Sequence, residues 1–309
     1  MKYSIVVPVY RSESFVEKTV AEIMRAIAHF RIDAEIILVN DGSPDNSWGV
    51  IKRLAAENRN IKSINFVKNY GQHNAVLCGF AHSTGDYVIT LDDDLQNPPM
   101  EIGHLIEKAN SGDFDLVFGR FREKKHSLFR RFGSKLIGFL NQKVFNKPSD
   151  IVLTNFRIIR RDLIERVLSH KTPYPYVPGL LLMYSTRMAN VLVDHQERAD
   201  GVSNYTLKKI ISLMSRLLIN YSSYPLRLLS TIGLFVSLVS FVVGLFYLAH
   251  GLFLGVSVPG WTTLVVLVSF LGGFIIALLG LVGEYLSRIL DQLSTPQSYF
   301  IKEIHEKRE

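Results

Sequence analysis

The chain has 309 residues, a formal charge of +7 at neutral pH and 48% apolar and aromatic residues, a share that is high for a purely soluble protein. Its one cysteine, Cys78, excludes an intramolecular disulfide and a cysteine-rich zinc cluster, and reads as a small buried hydrophobe. No stacking motif or nucleic-acid module accompanies the positive charge, so nucleic acid is excluded as a partner and membrane headgroups are the anionic surface that fits.

The opening MKYSIVVPVY carries too short an apolar run for a signal peptide and leads into strand-like sequence. The expected strands are Ser4–Val7, Glu35–Val39, Ser63–Val67, Tyr87–Leu91 and Asp115–Phe118. Several are continuous apolar runs, as in strands buried on both faces, and they alternate with helical patterns as a parallel sheet covered by helices requires. Ser14 and Glu17 have capping-box spacing ahead of Val16, Val20, Ile23 and Ile27 on one helical face. Asp45-Asn46-Ser47 opens a second helix after the Gly42-Ser43-Pro44 turn. Beyond about residue 120 the pattern loosens into a mixed region with few defined elements.

From Tyr205 to Tyr224, Leu207, Ile210, Ile211, Met214, Leu217 and Leu218 fall largely on one side, near Lys208, Lys209 and Arg216. This predicts an amphipathic helix on the membrane interface, or else an ordinary surface helix of the soluble domain. Residues 228–254 carry no Lys, Arg, Asp or Glu, and residues 262–286 only Glu284. Each run is long enough to cross a hydrocarbon core, which takes about 20 helical residues; a pair of buried core helices is the competing reading. The connector Gly255–Trp261 is uncharged, whereas Lys208, Lys209, Arg216, Arg227, Arg288 and Lys302 flank the pair. The positive-inside rule puts both ends of the hairpin in the cytoplasm. The expected organisation is a catalytic domain over 1–205, a juxtamembrane helix over 206–227, two spans within 228–286 and a tail over 287–309.

Tyr87–Gln96 places Asp92, Asp93 and Asp94 directly after an apolar strand. Adjacent carboxylates repel unless solvent or a cation offsets them, and oxygen ligands suit Mg²⁺ or Mn²⁺. The carboxyl end of a parallel strand is also where open α/β sheets bind ligands. Strand alternation sends Asp92 and Asp94 to one side and Asp93 to the other. A second cluster, Arg120, Arg122, Lys124, Lys125, Arg130, Arg131 and Lys135, is opposed only by Glu123. It suits phosphate recognition by its arginines, while its lysines read equally as a solvated charge run.

Taken together, these segments resemble family 2 of the inverting glycosyltransferases, with the GT-A fold. The likeness lies in Val6-Val7-Pro8-Val9-Tyr10 with Glu13, Val39-Asn40-Asp41-Gly42-Ser43 with Asp45, Asn69–Ala75, and Asp92–Pro99. The last two, with the paired carboxy-terminal spans, are similar to the polyprenyl-phosphate branch, which includes dolichyl-phosphate mannose synthases, bactoprenol glucosyltransferases and undecaprenyl-phosphate aminoarabinose transferase. His195–Tyr205 resembles the branch's Arg-x-x-Gly-x-Ser-Lys-Tyr segment, with Asn204 in place of Lys. Arg11 and Asn155 depart from the pattern, Arg11 standing where Asn is usual and Asn155 where some members have aspartate; Glu13 is shifted by one.

The resemblance implies a Rossmann-like, mostly parallel sheet with helices on both faces, an interfacial helix and a two-helix transmembrane hairpin. It implies a nucleotide-sugar site from Pro8, Tyr10, Glu13, Asp41, Asn69, Gly71, Asp92 and Asp93. Asp92 and Asp94 would be catalytic, and Asp94, Asp92 and Gln96 would hold Mg²⁺ or Mn²⁺. Arg120, Arg131, Arg198, Ser203 and Tyr205 would bind the acceptor phosphate. The implied reaction passes a sugar, with UDP-glucose the first expectation for the donor, to undecaprenyl phosphate at the cytoplasmic membrane, in a homo-oligomer such as a tetramer. Transfer to a glycan or diacylglycerol hydroxyl is the alternative enzyme, and a catalytically silent membrane scaffold the alternative of another class.

Overall fold

Strand β1 (Lys2–Val9) is buried from Tyr3 to Val9, so both of its faces are covered. The computed structural model describes residues 1–121, 138, 141–172, 174–194, 260–294 and 298–307, with scattered helical positions between 221 and 253. β1 pairs in parallel with β2 (Asp33–Asn40) on one side and β4 (Tyr87–Thr90) on the other, and β2 pairs in parallel with β3 (Ile61–Phe66). Beyond β4 lie β6 (Arg157–Arg160), β5 (Leu116–Phe121) and β7 (Met188–Val193), and β8 (Ile301–Glu306) closes the far edge, giving the order β7-β5-β6-β4-β1-β2-β3-β8.

The sheet is mixed, where the sequence suggests one mostly parallel. β6 is antiparallel to both β4 and β5, and β8 is antiparallel to β3, while β5 and β7 run parallel. β6 is a four-residue RIIR strand that leads directly into a helix.

Helix α1 (Val16–Phe30) turns Val16, Val20 and Ile23 onto Ile5, Val7 and Val9, in one core with Ile51 and Ala55 of α2 (Ser47–Glu57) and Ile102 and Leu105 of α4 (Ile102–Asn110). Helix α3 (Gln72–His82) takes the opposite face, where Gly79 lies so close to Val6 that an added Cβ would meet its Cγ1 at 2.2 Å. Helices α5 (Arg161–Ser169) and α6 (Val177–Tyr184) follow β6 in the chain. The capping box does not form: α1 begins at Val16 behind Phe15, with no side-chain cap. Instead the Ser12 carbonyl accepts the Phe15 and Val16 amides at 3.0 and 2.9 Å, while Glu13 faces the β2–α2 loop.

The chain divides into one unit of Met1–Leu207 with Thr295–Glu309 and a second of Lys208–Ser294. Residues 301–306, within the expected carboxy-terminal tail, are thus a strand of the main sheet. In the second unit, α7 (Trp261–Ser294) contains Phe270–Ser287 with a mean hydropathy of 1.8, long and apolar enough to cross a membrane. The expected first span, 228–254, and juxtamembrane helix, 206–227, lie largely outside the described residues.

Candidate active site at the carboxyl ends of β1, β2 and β4

The strand order reverses beside β1: the chain runs outward through β2 and β3, then returns to place β4 on the other side. Such a switch point opens a crevice at the carboxyl ends of the strands. Here it gathers Tyr10, Asp41 and Asp92–Asp94.

Asp92 points toward α3 and β6. It accepts the Gln72 Nε2 amide at 2.7 Å, and Asn155 Nδ2 donates to its two oxygens at 3.3 and 3.4 Å. The ladder explains Asn155: β4 and β6 pair Thr90 with Arg157, and the same register two residues further on sets Asn155 opposite Asp92. The β5–β6 register, pairing Phe118 with Arg157, sets Arg120 opposite Asn155 in turn. Arg120, Asn155 and Asp92 therefore lie in one row across the sheet, and Arg120 is exposed. Burial raises the Asp92 carboxyl's pKa and the neighbouring Asp94 charge raises it further, against the pull of Asn155, Arg157 and Gln72.

Asp93 points the other way, as alternation predicts. Its Oδ2 accepts the Ser12 hydroxyl and the Tyr10 amide, the latter at 3.3 Å, and its carbonyl accepts the Thr19 hydroxyl at 2.7 Å. Burial pushes its pKa up to about 6. Asp93 thus fastens the β1–α1 turn to the acidic strand end. Asp94 Oδ1 accepts the Gln96 amide at 3.1 Å, and Leu95 between them has a left-handed φ of 57°.

Asp41 is 3% exposed, and its oxygens accept the Tyr70 and Gly71 amides at 2.7 and 2.9 Å. Burial raises its pKa while those two amides lower it. It shapes the β3–α3 loop, leaving Asn69 exposed and Gly71 with φ 94° as the lead into α3. Pro8 is buried in β1 and Tyr10 is 43% exposed at its end. Glu13 is exposed and accepts the Asn46 amide at 3.2 Å. Arg131, Arg198, Ser203 and Tyr205 lie outside the described residues.

Behind Asp92 sits Arg157, 1% exposed, whose guanidinium donates to the Thr154 carbonyl at 3.4 Å and whose Nε has no partner. Burial pulls it down to about 10, with the Asp92 charge acting against that, so it stays cationic at neutral pH. His73, edge-on to Tyr176 at 5.3 Å, is pushed to about 4 by burial and then by Arg157, and is neutral. Sequence reasoning did not find Arg157; a cation within a short apolar strand, two residues after Asn155, is the signal that marks it.

The fold and the acidic strand end define an α/β protein with a ligand crevice at the carboxyl ends of its parallel strands. Residues 4–168 match the family described as glycosyl transferase family 2, and the chain is 35% identical, over 98% of its length and 93% of the relative's, to undecaprenyl-phosphate 4-deoxy-4-formamido-L-arabinose transferase of Klebsiella pneumoniae (strain 342). The chain belongs to glycosyl transferase family 2. In fold it is similar to glucosyl-3-phosphoglycerate synthase from Mycobacterium tuberculosis in complex with phosphoglyceric acid, at TM-score 0.51 and 17% identity over 71% of this chain and 78% of that one. The same synthase with Mn²⁺, UDP-glucose and phosphoglyceric acid gives TM-score 0.50 at 17% identity, covering 71% and 77%.

Proposed function

We propose that this chain transfers a sugar from a nucleotide-sugar to the phosphate of undecaprenyl phosphate at the membrane surface, with inversion at the anomeric carbon. The observation that carries the reading is the placement of Asp92–Asp94 at the switch point in a chain whose relative over 98% of its length is an undecaprenyl-phosphate sugar transferase.

The residues present fit a divalent cation. Asp92 and Asp94 are close enough for one charge to raise the other's pKa, a repulsion that a dication removes. Among the described residues no three His, Cys, Asp or Glu side chains converge on one point, and Mg²⁺ commonly takes one or two carboxylates plus substrate phosphates. Asp94 and Asp92, with Gln96, would hold Mg²⁺ or Mn²⁺. Such an ion supplies charge stabilisation for the departing diphosphate.

The acceptor needs no general base, because a phosphate monoester with a second pKa near about 6 is largely dianionic at neutral pH. Asn155 is chemically suited to that: its amide cannot take a proton from the acceptor and instead orients Asp92. Asp41 and Gly71 shape the nucleotide side, and Arg120, Arg131 and Arg198 steer phosphates. The work left to the protein is alignment of acceptor, anomeric carbon and leaving group. For the donor, we favour a nucleotide-activated 4-deoxy-4-formamido-L-arabinose over UDP-glucose, and the name of the relative matched over 98% of this chain supports that choice.

The membrane reading rests on connectivity as well as hydropathy. Both ends of Lys208–Ser294 continue into one folded unit, since β8 pairs with β3. A segment that leaves and re-enters one domain crosses a bilayer an even number of times. Helix α7 thus needs a partner crossing, and 228–254 is the apolar run available.

The test is full-length protein in lipid nanodiscs, undecaprenyl phosphate and a panel of nucleotide-sugars, with mass spectrometry of the lipid. One donor yields sugar-phosphate-lipid, and Asp92→Ala with Asp94→Ala abolishes it. Wild-type transfer rates in that double variant would sink the metal site.

A further inference from the structure

The β3–α3 loop, residues 67–71, is held from three sides. Asp41 takes the Tyr70 and Gly71 amides. Gly42, at φ 60°, lies so close to Lys68 that an added Cβ would meet its carbonyl carbon at 2.3 Å. The third side comes from the far end of the chain. The Val67 amide donates to the Phe300 carbonyl at 3.0 Å, the Tyr299 ring stacks on Phe66 with centroids 4.9 Å apart, and the Phe300 ring is tilted toward Tyr70 with centroids 6.4 Å apart.

The register explains why these residues reach the loop. β8 pairs Asn65 with Glu303 but Phe66 with Ile301, leaving Lys302 as an extra residue. Such a bulge bends a strand and re-aims the residues next to it. Here it turns Tyr299 and Phe300 across the loop instead of along β3. Phe300 is 53% exposed, so its contact with Tyr70 is not one that core formation demands.

We infer that Tyr299 and Phe300 are positioning residues for the donor: the segment following the membrane helix preorganises the β3–α3 loop, so that nucleotide affinity depends on the carboxyl-terminal strand. This rests on the proposed role of Asn69 and Gly71 at the nucleotide. A loop already fixed in its bound shape loses less conformational freedom when the nucleotide arrives. The loop residues Val67, Lys68 and Asn69 are exposed, so their order comes from these three anchors. The consequence is a link between anchor and site, since a chain cut before the membrane segment keeps the acidic strand end but loses one wall of the donor loop.

The experiment uses full-length protein in nanodiscs and reads UDP binding with Mn²⁺ by calorimetry, then donor KM and kcat. Phe300→Ala weakens UDP binding about 3- to 10-fold, the worth of an aromatic contact, and raises donor KM in step with kcat unchanged; Phe300→Tyr restores both. In a Tyr70→Ala background the same substitution adds less than about twofold, as coupled neighbours do. Phe300→Leu, which keeps the bulk but loses the ring pairing with Tyr70, covers the case in which Phe300→Ala lowers the melting temperature, and it too is expected to weaken UDP binding. Unaltered UDP affinity in Phe300→Ala, or an equal loss with and without Tyr70, overturns the inference and leaves the proposed function standing. Wild-type protein that binds none of a panel of nucleoside diphosphates overturns both.

Discussion

Asn155 donates to both oxygens of Asp92, so its identity as an amide matters more than its size. Asn155→Asp replaces two donated hydrogen bonds with a like charge beside Asp92, and a drop of about tenfold in kcat/KM is expected from that loss. Steady-state kinetics at neutral pH check it; a faster enzyme would mean that the position wants a base. Arg11 is the opposite case, a residue whose backbone asks for something else. It holds a left-handed φ of 56°, stays exposed and donates its amide to Ser43 Oγ at 3.2 Å. Arg11→Asn, which tolerates that conformation, is expected to stabilise the fold by about 1 kcal/mol, read as a higher melting temperature. The acidic triad was legible from the sequence because three carboxylates behind an apolar run have few structural uses. Asn155 was visible only as a departure, since its contact with Asp92 depends on the β4–β6 pairing.

The elements divide along the same line. β1, β2 and β4 announce themselves as largely apolar runs, and α1 as a one-sided stripe, because burial on two faces or one leaves its trace in the sequence. β6 has four residues, and β8 alternates half-buried and exposed positions with charged side chains, as a solvent-facing edge strand does. Neither stands out until its partners are known. Lys62 opposite Glu306 across β3 and β8, with a 3.0 Å ion pair, and Lys52 of α2 with Glu303 at 2.5 Å, are the charge pairs that seat β8. Gly42 was legible as a turn, yet its tight approach to Lys68 was not. Gly42→Ala needs a positive φ and displaces backbone, so a loss of about 1–3 kcal/mol is expected. Thermal unfolding would show it, accompanied by weaker UDP binding as the Asn69–Gly71 loop shifts.

For the whole molecule, β8 returns the chain after Lys208–Ser294 to the unit it left, so the proposed membrane segment is an insertion in that unit's sequence. The proposed two crossings would put the connector Gly255–Trp261 on the side opposite the termini. Cys78 is buried, so introduced cysteines report against a low background. Ser257→Cys should react with an impermeant maleimide in intact cells, and Lys307→Cys only after permeabilisation; labelling of both from one side contradicts the hairpin. The claim that binds residue, element and topology together is the acceptor. Undecaprenyl phosphate, diacylglycerol and a soluble glycan offered together, with one labelled nucleotide-sugar and Mn²⁺, test it in a single reaction. The expected result is that the label enters undecaprenyl phosphate alone and that EDTA stops its transfer. Label in diacylglycerol or glycan, with the polyprenyl phosphate unmodified, would contradict it.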